Sequence, residues 1–73
     1  MKKAFQTHSF IARHNQTTEM WDVFKNNIRL AVIYDDSREI KFVNTDTCIH
    51  IAELTELHTL IFDINKQYKI ANP

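Results

Sequence analysis

The sequence predicts a small α+β domain, in which an antiparallel sheet is covered on one face by two helices. Three observations carry this prediction: the chain has 73 residues, 44% of them are hydrophobic, and apolar residues recur with both strand and helix periods. A chain of this length supports one small core, so residues 1–73 are expected to form a single compact domain. The predicted order of elements is β-α-β-β-β-α.

The first predicted element is a strand. Residues 4–12 are rich in Phe, Thr and Ile, and this composition is typical of strands. Neither of its two faces is purely apolar, which indicates a strand at the edge of the sheet or at an interface. Residues 13–18 are polar and predict a loop.

A helix is predicted after this loop. Thr17 or Thr18 can cap its first turn, where Glu19 and Asp22 are placed favourably for the helix dipole. Large apolar residues then recur at the spacing of one helical stripe: Met20, Trp21, Phe24 and Ile28. The Asn26-Asn27 pair is expected to end this helix.

Residues 28–34 and 39–44 predict a β-hairpin. The first segment is rich in aliphatic and β-branched residues, and the second alternates apolar with polar or charged side chains. The four residues between them, Asp35-Asp36-Ser37-Arg38, have the composition of a turn.

The last third predicts a strand followed by a helix. Residues 47–51 can form a strand with Ile49 and Ile51 inward, but the same residues can also begin a long helix. Beyond them, apolar residues recur at helical spacing: Leu54, Leu57, Leu60, Ile61, Ile64 and Tyr68. The helix is expected to end near residue 66, and residues 68–70 could add a short last strand.

The chain contains no glycine, and this excludes several nucleotide-binding and hydrolase motifs. The Walker loop, the dinucleotide fingerprint and the kinase lid all need glycine for close backbone approach, and the serine elbow of esterases needs it as well. No cofactor is therefore expected. Tight turns must be built from Asn and Asp, which tolerate left-handed conformations.

Composition also bears on the compartment. Cys48 is the only cysteine, so no internal disulfide can form. No apolar run approaches the roughly 20 residues of a spanning helix. The polar residues after Met1-Lys2-Lys3 do not resemble a signal peptide. A cytoplasmic protein is expected.

Two groups of residues could carry chemistry. His8 and His14, with Arg13 and either Lys2 or Lys3 nearby, could cleave RNA without a metal, because two histidines and a lysine are a workable set, although their spacing does not require it. Cys48 and His50 would share a strand face with Asp46, but one Cys-x-His is a weak zinc signal. We therefore predict neither an enzyme nor a metal site, and expect Cys48 to pack as a small hydrophobic residue.

Charge is segregated along the chain although nine basic and nine acidic residues balance. The first 29 residues carry a net charge of +3 and residues 30–63 carry −5. A small nucleic-acid-binding regulator is therefore an alternative function. Its candidate residues are Lys2, Lys3, Arg13, Lys25 and Arg29.

The leading expectation is a non-enzymatic protein-binding module. The Asn-, Ile- and Lys-rich composition resembles that of small open reading frames of phages and mobile elements. That resemblance implies a protein that inhibits a host protein, for example a defence nuclease, by stoichiometric occlusion. The candidate contacts are Phe10, Arg13, His14, Asp35, Asp36, Arg38, Glu39, Glu53 and Glu56. A homodimer through an open strand edge is a further expectation.

Overall fold

The chain folds into a five-stranded antiparallel sheet followed by a C-terminal helix. The computed structural model describes residues 2–34, 39–44, 46 and 48–71. Its elements are β1 (Ala4–Gln6), β2 (Ile11–Asn15), β3 (Met20–Lys25), β4 (Ile28–Tyr34), β5 (Ile40–Phe42) and α1 (Ile51–Ala71). Each strand pairs with the next, so the sheet order is β1-β2-β3-β4-β5. The α+β class is confirmed, but within the described residues one helix rather than two accompanies the sheet.

The predicted first strand is a hairpin made of β1 and β2. Residues 7–10 reverse the chain: the Thr7 backbone N–H donates to the Phe10 carbonyl at 2.8 Å, and the Thr7 hydroxyl accepts from the Phe10 N–H at 3.1 Å. Phe5 consequently pairs with Ala12. The prediction of one continuous strand is wrong because a threonine hydroxyl can close a turn within an otherwise strand-like composition.

The predicted first helix is wrong, because its residues form strand β3. Trp21 and Val23 are both buried, while the residues between and beside them lie on the other face of the sheet. The apolar positions of this short segment satisfy helical and strand periods alike. Aromatic and β-branched residues favour the strand, and β2 and β4 supply its pairing partners.

Asn26 and Asn27 form the tight turn between β3 and β4. Their φ angles are 53° and 66°, and Lys25 pairs with Ile28 across the turn. Positive φ at both central residues is the pattern of a type I′ turn, whose twist matches that of a two-stranded hairpin. Asn tolerates this conformation better than other residues with a Cβ, so this turn forms without glycine.

Glu19 is a third residue in the left-handed region, with φ 56°, and it ends the turn between β2 and β3. Left-handed backbone costs a non-glycine residue about 1–2 kcal/mol, while glycine costs about 0.5–1 kcal/mol in chain entropy. We predict that Glu19→Gly raises the free energy of unfolding by about 0.5 kcal/mol in urea titrations.

The matched control for this prediction is Gln16→Gly in the same turn. Gln16 is not among the residues with positive φ, so glycine there should lower the free energy of unfolding by about 0.5–1 kcal/mol. Opposite signs for the two substitutions would support the account of this turn. Equal losses would contradict it.

The hydrophobic core lies between α1 and one face of the sheet. Its buried members are Phe10, Ala12, Trp21, Val23, Leu30, Ala31, Ile33, Leu57, Leu60 and Ile64. A β-bulge lets two successive residues of β4 face this core: Val23 pairs with Ala31 and Phe24 with Arg29, so Leu30 has no opposite residue. Both Leu30 and Ala31 are fully buried.

The hairpin predicted from residues 28–34 and 39–44 is confirmed as β4 and β5. Ile33 pairs with Ile40, and Ala31 pairs with Phe42. The predicted turn, residues 35–38, lies outside the described residues. The second strand is shorter than expected, because only residues 40–42 keep the pairing with β4.

The predictions for the C-terminal third are partly wrong. No strand is found at residues 48–50, and residue 47 lies outside the described residues. The helix begins at Ile51 and continues to Ala71, five residues past the expected end, so residues 68–70 form helix rather than a last strand.

Candidate functional site

The inner face of α1 closes the core. Leu57, Leu60 and Ile64 recur three and four residues apart and are almost fully buried. These three positions agree with the helical stripe that the sequence predicts. The helix therefore uses one apolar face, as expected, to cover the sheet.

A second apolar face lies on the opposite side of α1. Ile51 is 86% exposed, Leu54 is 52% exposed and Phe62 is 62% exposed. With the exposed His58, these residues recur at intervals of three, four and four, which places them on one side of an α-helix. We call Ile51, Leu54, His58 and Phe62 the outer stripe. Among the residues that the structure describes, no helix is both long and apolar enough to cross a membrane.

The start of α1 is fixed by Glu53. Its Oε1 atom accepts the backbone N–H of His50 at 2.8 Å and the ammonium group of Lys25 at 2.9 Å. His50 is the residue before the helix, so Glu53 reaches back to its N–H as the glutamate of a capping box does. Lys25 also donates to the Cys48 carbonyl at 2.9 Å. This cap explains why the helix starts at Ile51.

Glu56 ties α1 to the turn between β1 and β2. Its Oε1 accepts the Ser9 backbone N–H at 2.7 Å, and its Oε2 accepts the Ser9 hydroxyl at 2.9 Å. Farther along, the Gln67 amide exchanges two hydrogen bonds with the Lys2 backbone, at 2.9 Å and 2.8 Å. The helix is thus attached to the sheet near its start and near its end.

These hydrogen bonds lower the pKa of both glutamates. The Lys25 ammonium group, and then the His50 N–H, lower the pKa of Glu53 from 4.5 to about 2 against the opposing effect of burial. The Ser9 N–H, and then the Thr7 hydroxyl, lower the pKa of Glu56. Each carboxylate therefore stabilises the fold while it is ionised.

We predict that Glu53→Gln makes unfolding less sensitive to acid. A lowered folded-state pKa gives stability that is complete above pH 4.5 and is lost as the pH falls toward 2. In urea titrations the variant should be less stable than the parent at pH 7, and the two should converge near pH 2. Because the pKa of Glu56 is also lowered, the stability of the variant should still fall in acid, but by less than the stability of the parent. Parallel curves for the two proteins would contradict this prediction.

The acidic residues predicted to face a partner do not form one exposed surface. Glu53 and Glu56 point toward the sheet, where they are hydrogen-bonded as described above, so the outward face of α1 is apolar rather than acidic. Glu39 is exposed just before β5. Asp35, Asp36 and Arg38 lie outside the described residues.

The other predicted partner contacts are divided between the core and the uncovered face of the sheet. Phe10 is 1% exposed and belongs to the core, because the turn at residues 7–10 directs it inward. His14 is half-buried, with its ring centroid 5.1 Å from that of Trp21. Arg13 is exposed on the uncovered face.

The basic residues of the nucleic-acid alternative do not lie together on one surface. Lys25 is bound to Glu53, and the Lys2 ammonium group lies 5.0 Å from the centroid of the Phe5 ring on the helix side. Lys3 is exposed. The other two residues lie on the uncovered face: Arg13, 5.7 Å above the Phe24 ring, and Arg29, 3.5 Å from Asp22.

The histidines considered for RNA cleavage are not brought together. His8 lies in the turn between β1 and β2, and His14 lies toward the far end of β2, next to Trp21. His14 is three residues from the start of β2 at Ile11, which is about 10 Å of extended strand, and His8 lies beyond that end of the strand. His8 and His14 therefore lie near opposite ends of β2.

The residues considered for zinc were Asp46, Cys48 and His50. Within the described ranges, no three His, Cys, Asp or Glu side chains could hold a metal ion together. Cys48 is exposed, which corrects the expectation that it packs inside. Residues 48–50 form neither strand nor helix, and in this segment the Cys48 side chain lies outside while its backbone carbonyl accepts a hydrogen bond from Lys25.

The outer stripe is absent from the predictions made from the sequence, which place Leu54 in the same apolar stripe as Leu57 and favour a strand through Ile51. The signal was present, since Ile51, His58 and Phe62 fall on the opposite side of the helical projection from Leu57, Leu60 and Ile64.

Comparisons with protein-family models, with curated proteins and with solved structures find no match for this chain.

Proposed function

We propose that the chain is a non-enzymatic protein-binding module that docks the outer stripe of α1 into an apolar groove of a partner protein. Binding would block the partner surface stoichiometrically. The observation that carries the proposal is the exposure of three large apolar side chains, Ile51, Leu54 and Phe62, on one helix face. Clustered exposed apolar side chains on a small protein typically mark an interaction site.

The spacing of the outer stripe fits a known mode of recognition. Helices that bind in grooves present anchors at i, i+3 and i+7, and the stripe adds a further anchor one turn later. From Ile51 to Phe62 the stripe extends about 16 Å along the helix axis, at about 1.5 Å per residue. This length matches a groove that receives three turns of helix.

The helix α1 is preorganised for binding in the free protein. The hydrogen bonds of Glu53, Glu56 and Gln67 hold α1 against the sheet. A helix that is already formed and positioned does not lose backbone freedom on binding, so more of the apolar contact energy appears as affinity. This is an advantage over a flexible peptide with the same anchors.

Charge near the end of α1 indicates the chemistry of the partner. Lys66 and Lys69 are exposed, and Lys69 lies in line with Ile51 because 18 residues make five full turns. An acidic rim at the corresponding end of the groove would complement these lysines and speed association. The expected partner therefore has an apolar groove with carboxylates at one end.

The proposal is tested by capture from a lysate of the source organism after nuclease treatment. The tagged parent is compared with Leu54→Ser/Phe62→Ser and with a control, Gln16→Ser/Lys41→Ser, whose two exposed positions lie off the helix. The parent and the control should retain the same protein in stoichiometric amount, and the helix variant should lose it. The retained protein is then purified and recombined with each variant.

Retention of the band by Leu54→Ser/Phe62→Ser would contradict the proposal. So would a parent that retains nothing in stoichiometric amount. A second copy of the chain could cover the outer stripe in place of a partner protein. Light scattering tests this by measuring the molar mass of the free protein. The proposal requires an outer stripe that is free in solution, so we expect either an 8.7 kDa monomer or a strand-edge dimer that the double substitution leaves intact. A dimer that the double substitution abolishes would assign the outer stripe to self-association.

A further inference from the structure

The face of the sheet that α1 leaves uncovered carries an arginine in cation–π contact with an aromatic ring. The Arg13 guanidinium lies 5.7 Å from the centroid of Phe24. Strand pairing places both residues on this face: Arg13 pairs with Asp22, Phe24 pairs with Arg29, and all four lie opposite the buried side of their strands. Arg29 is held 3.5 Å from Asp22, and its side chain remains 55% exposed.

Two open hollows flank the pair of Arg13 and Phe24. One, of about 310 Å³, lies between the turn that joins β1 to β2 and the turn that joins β3 to β4. The other, of about 430 Å³, extends toward the turn that joins β2 to β3. Arg13 and Phe24 line both hollows, so they form the ridge between two neighbouring surface depressions, of which the second is the shallower and more open.

The polar groups that line the hollows are mainly amides, hydroxyls and cations, and they lie beside apolar residues, among them Ile11 and Phe24. Gln6, Asn26 and Asn27 line the first hollow with His8, and no Asp or Glu is among its lining residues. Lys3 lines the second hollow, where Asp22 is the acidic residue. Amides can donate and accept hydrogen bonds at the edge of a base, and a guanidinium plane can stack on one.

We infer that this face binds single-stranded nucleic acid, with bases in the two hollows and the ridge of Arg13 and Phe24 between them. One base stacks on the Arg13 guanidinium, which Phe24 supports from below. Amides at the first hollow meet the base edge, while Lys3 and Arg29 lie near the phosphates. This surface is separate from the outer stripe, so the inference does not depend on the proposed protein partner.

The chemistry of the face favours a single strand over a duplex. Duplex binders neutralise many phosphates with dense positive charge, whereas this protein has no net charge and places few cations here. Single-strand sites combine modest charge with stacking groups in a groove. The first hollow exposes more polar than apolar surface, which suits the edge of a base, and the second exposes more apolar surface, which suits the face of a base.

The test is fluorescence anisotropy with labelled oligouridine and oligodeoxythymidine of about ten nucleotides, a length within the usual site size. At about 50 mM salt the parent should bind at micromolar concentration and lose affinity as salt rises to 200 mM. Arg13→Gln should weaken binding at least ~10-fold and make the salt slope shallower by about 0.7.

Two further variants separate stacking from charge. Arg13→Lys keeps the charge but loses the planar group, so it should still weaken binding several-fold. Lys66→Gln removes one positive charge from the helix, away from the sheet face, and should bind within about 2-fold of the parent. Thermal unfolding checks that each variant is folded; Arg13 and Lys66 are exposed, so all should be.

The inference is overturned if the parent binds neither oligonucleotide at about 100 µM protein and 50 mM salt. It is also overturned if Arg13→Gln binds as well as Lys66→Gln. A protein partner that is lost on Arg13→Gln, with no oligonucleotide binding, would assign this face to protein recognition instead. Preferential binding of duplex over single strand would contradict the stacking geometry.

Discussion

Leu60→Ala is expected to lower the free energy of unfolding by about 2–5 kcal/mol, because it leaves a cavity between α1 and the sheet. Leu60 is 1% exposed and belongs to the core cluster. Small domains have about 0.05–0.15 kcal/mol of stability per residue, so the whole chain has roughly 4–11 kcal/mol. The substitution therefore removes a large part of the total and should lower the urea midpoint strongly.

Leu54→Ala provides the matched control, since it removes the same atoms from the same helix. Leu54 is half exposed and lies on the outer stripe, so its loss should cost less than about 1 kcal/mol. The comparison measures directly which face of α1 covers the sheet. Equal destabilisation by the two substitutions would contradict the described orientation of the helix.

Phe62→Ala is expected to weaken the complex with the protein partner by at least ~30-fold, the effect of a binding hot spot of about 2 kcal/mol. Phe62 has the largest side chain of the outer stripe, and the complex would bury it in the groove. Its exposure in the free protein means that the free energy of unfolding should change little. Isothermal titration calorimetry of the purified complex measures the affinity.

The control for Phe62→Ala is Lys41→Ala on the uncovered face of the sheet. It should leave the affinity for the protein partner within about 2-fold, because the side chain lies away from α1. Similar losses from both substitutions would indicate a binding surface other than the outer stripe. A loss from Phe62→Ala that accompanies unfolding would be detected by the urea titration and would contradict the account.

The elements that could be predicted are those with one strong signal. The hairpin of β4 and β5 follows from an apolar β-branched segment, a polar turn and an alternating segment. The inner face of α1 follows from Leu57, Leu60 and Ile64 at helical spacing. Both signals depend only on residues that are close together in the sequence, so they can be recognised without knowing how the rest of the chain packs.

Strand β3 could not be predicted from its own residues. Its apolar positions fit a helix stripe as well as an alternating strand, and the pairing with β2 and β4 decides between them. The Asn26-Asn27 pair was the better indicator of a strand here. Two Asn between apolar segments can form a type I′ turn, whereas the helical interpretation used them only as a stop.

The row of residues in the outer stripe can be read from the helical projection, but its exposure could not be predicted, because exposure depends on packing. Helical spacing shows that Leu54 and Leu57 are one turn apart, but it does not show which arc of the helix the sheet covers. Glu53 and Glu56 decide this by turning their side chains toward Lys25 and Ser9. Those bonds join residues far apart in the chain, so no local pattern reveals them.

The most direct test of the docking surface is chemical-shift mapping by NMR, with the isotope-labelled chain titrated by its purified protein partner. We expect the largest changes at Ile51, Leu54, His58 and Phe62, with little change on the uncovered face around Arg13. Changes centred on that face, with the outer stripe unaffected, would contradict the claim that α1 carries the protein-binding surface.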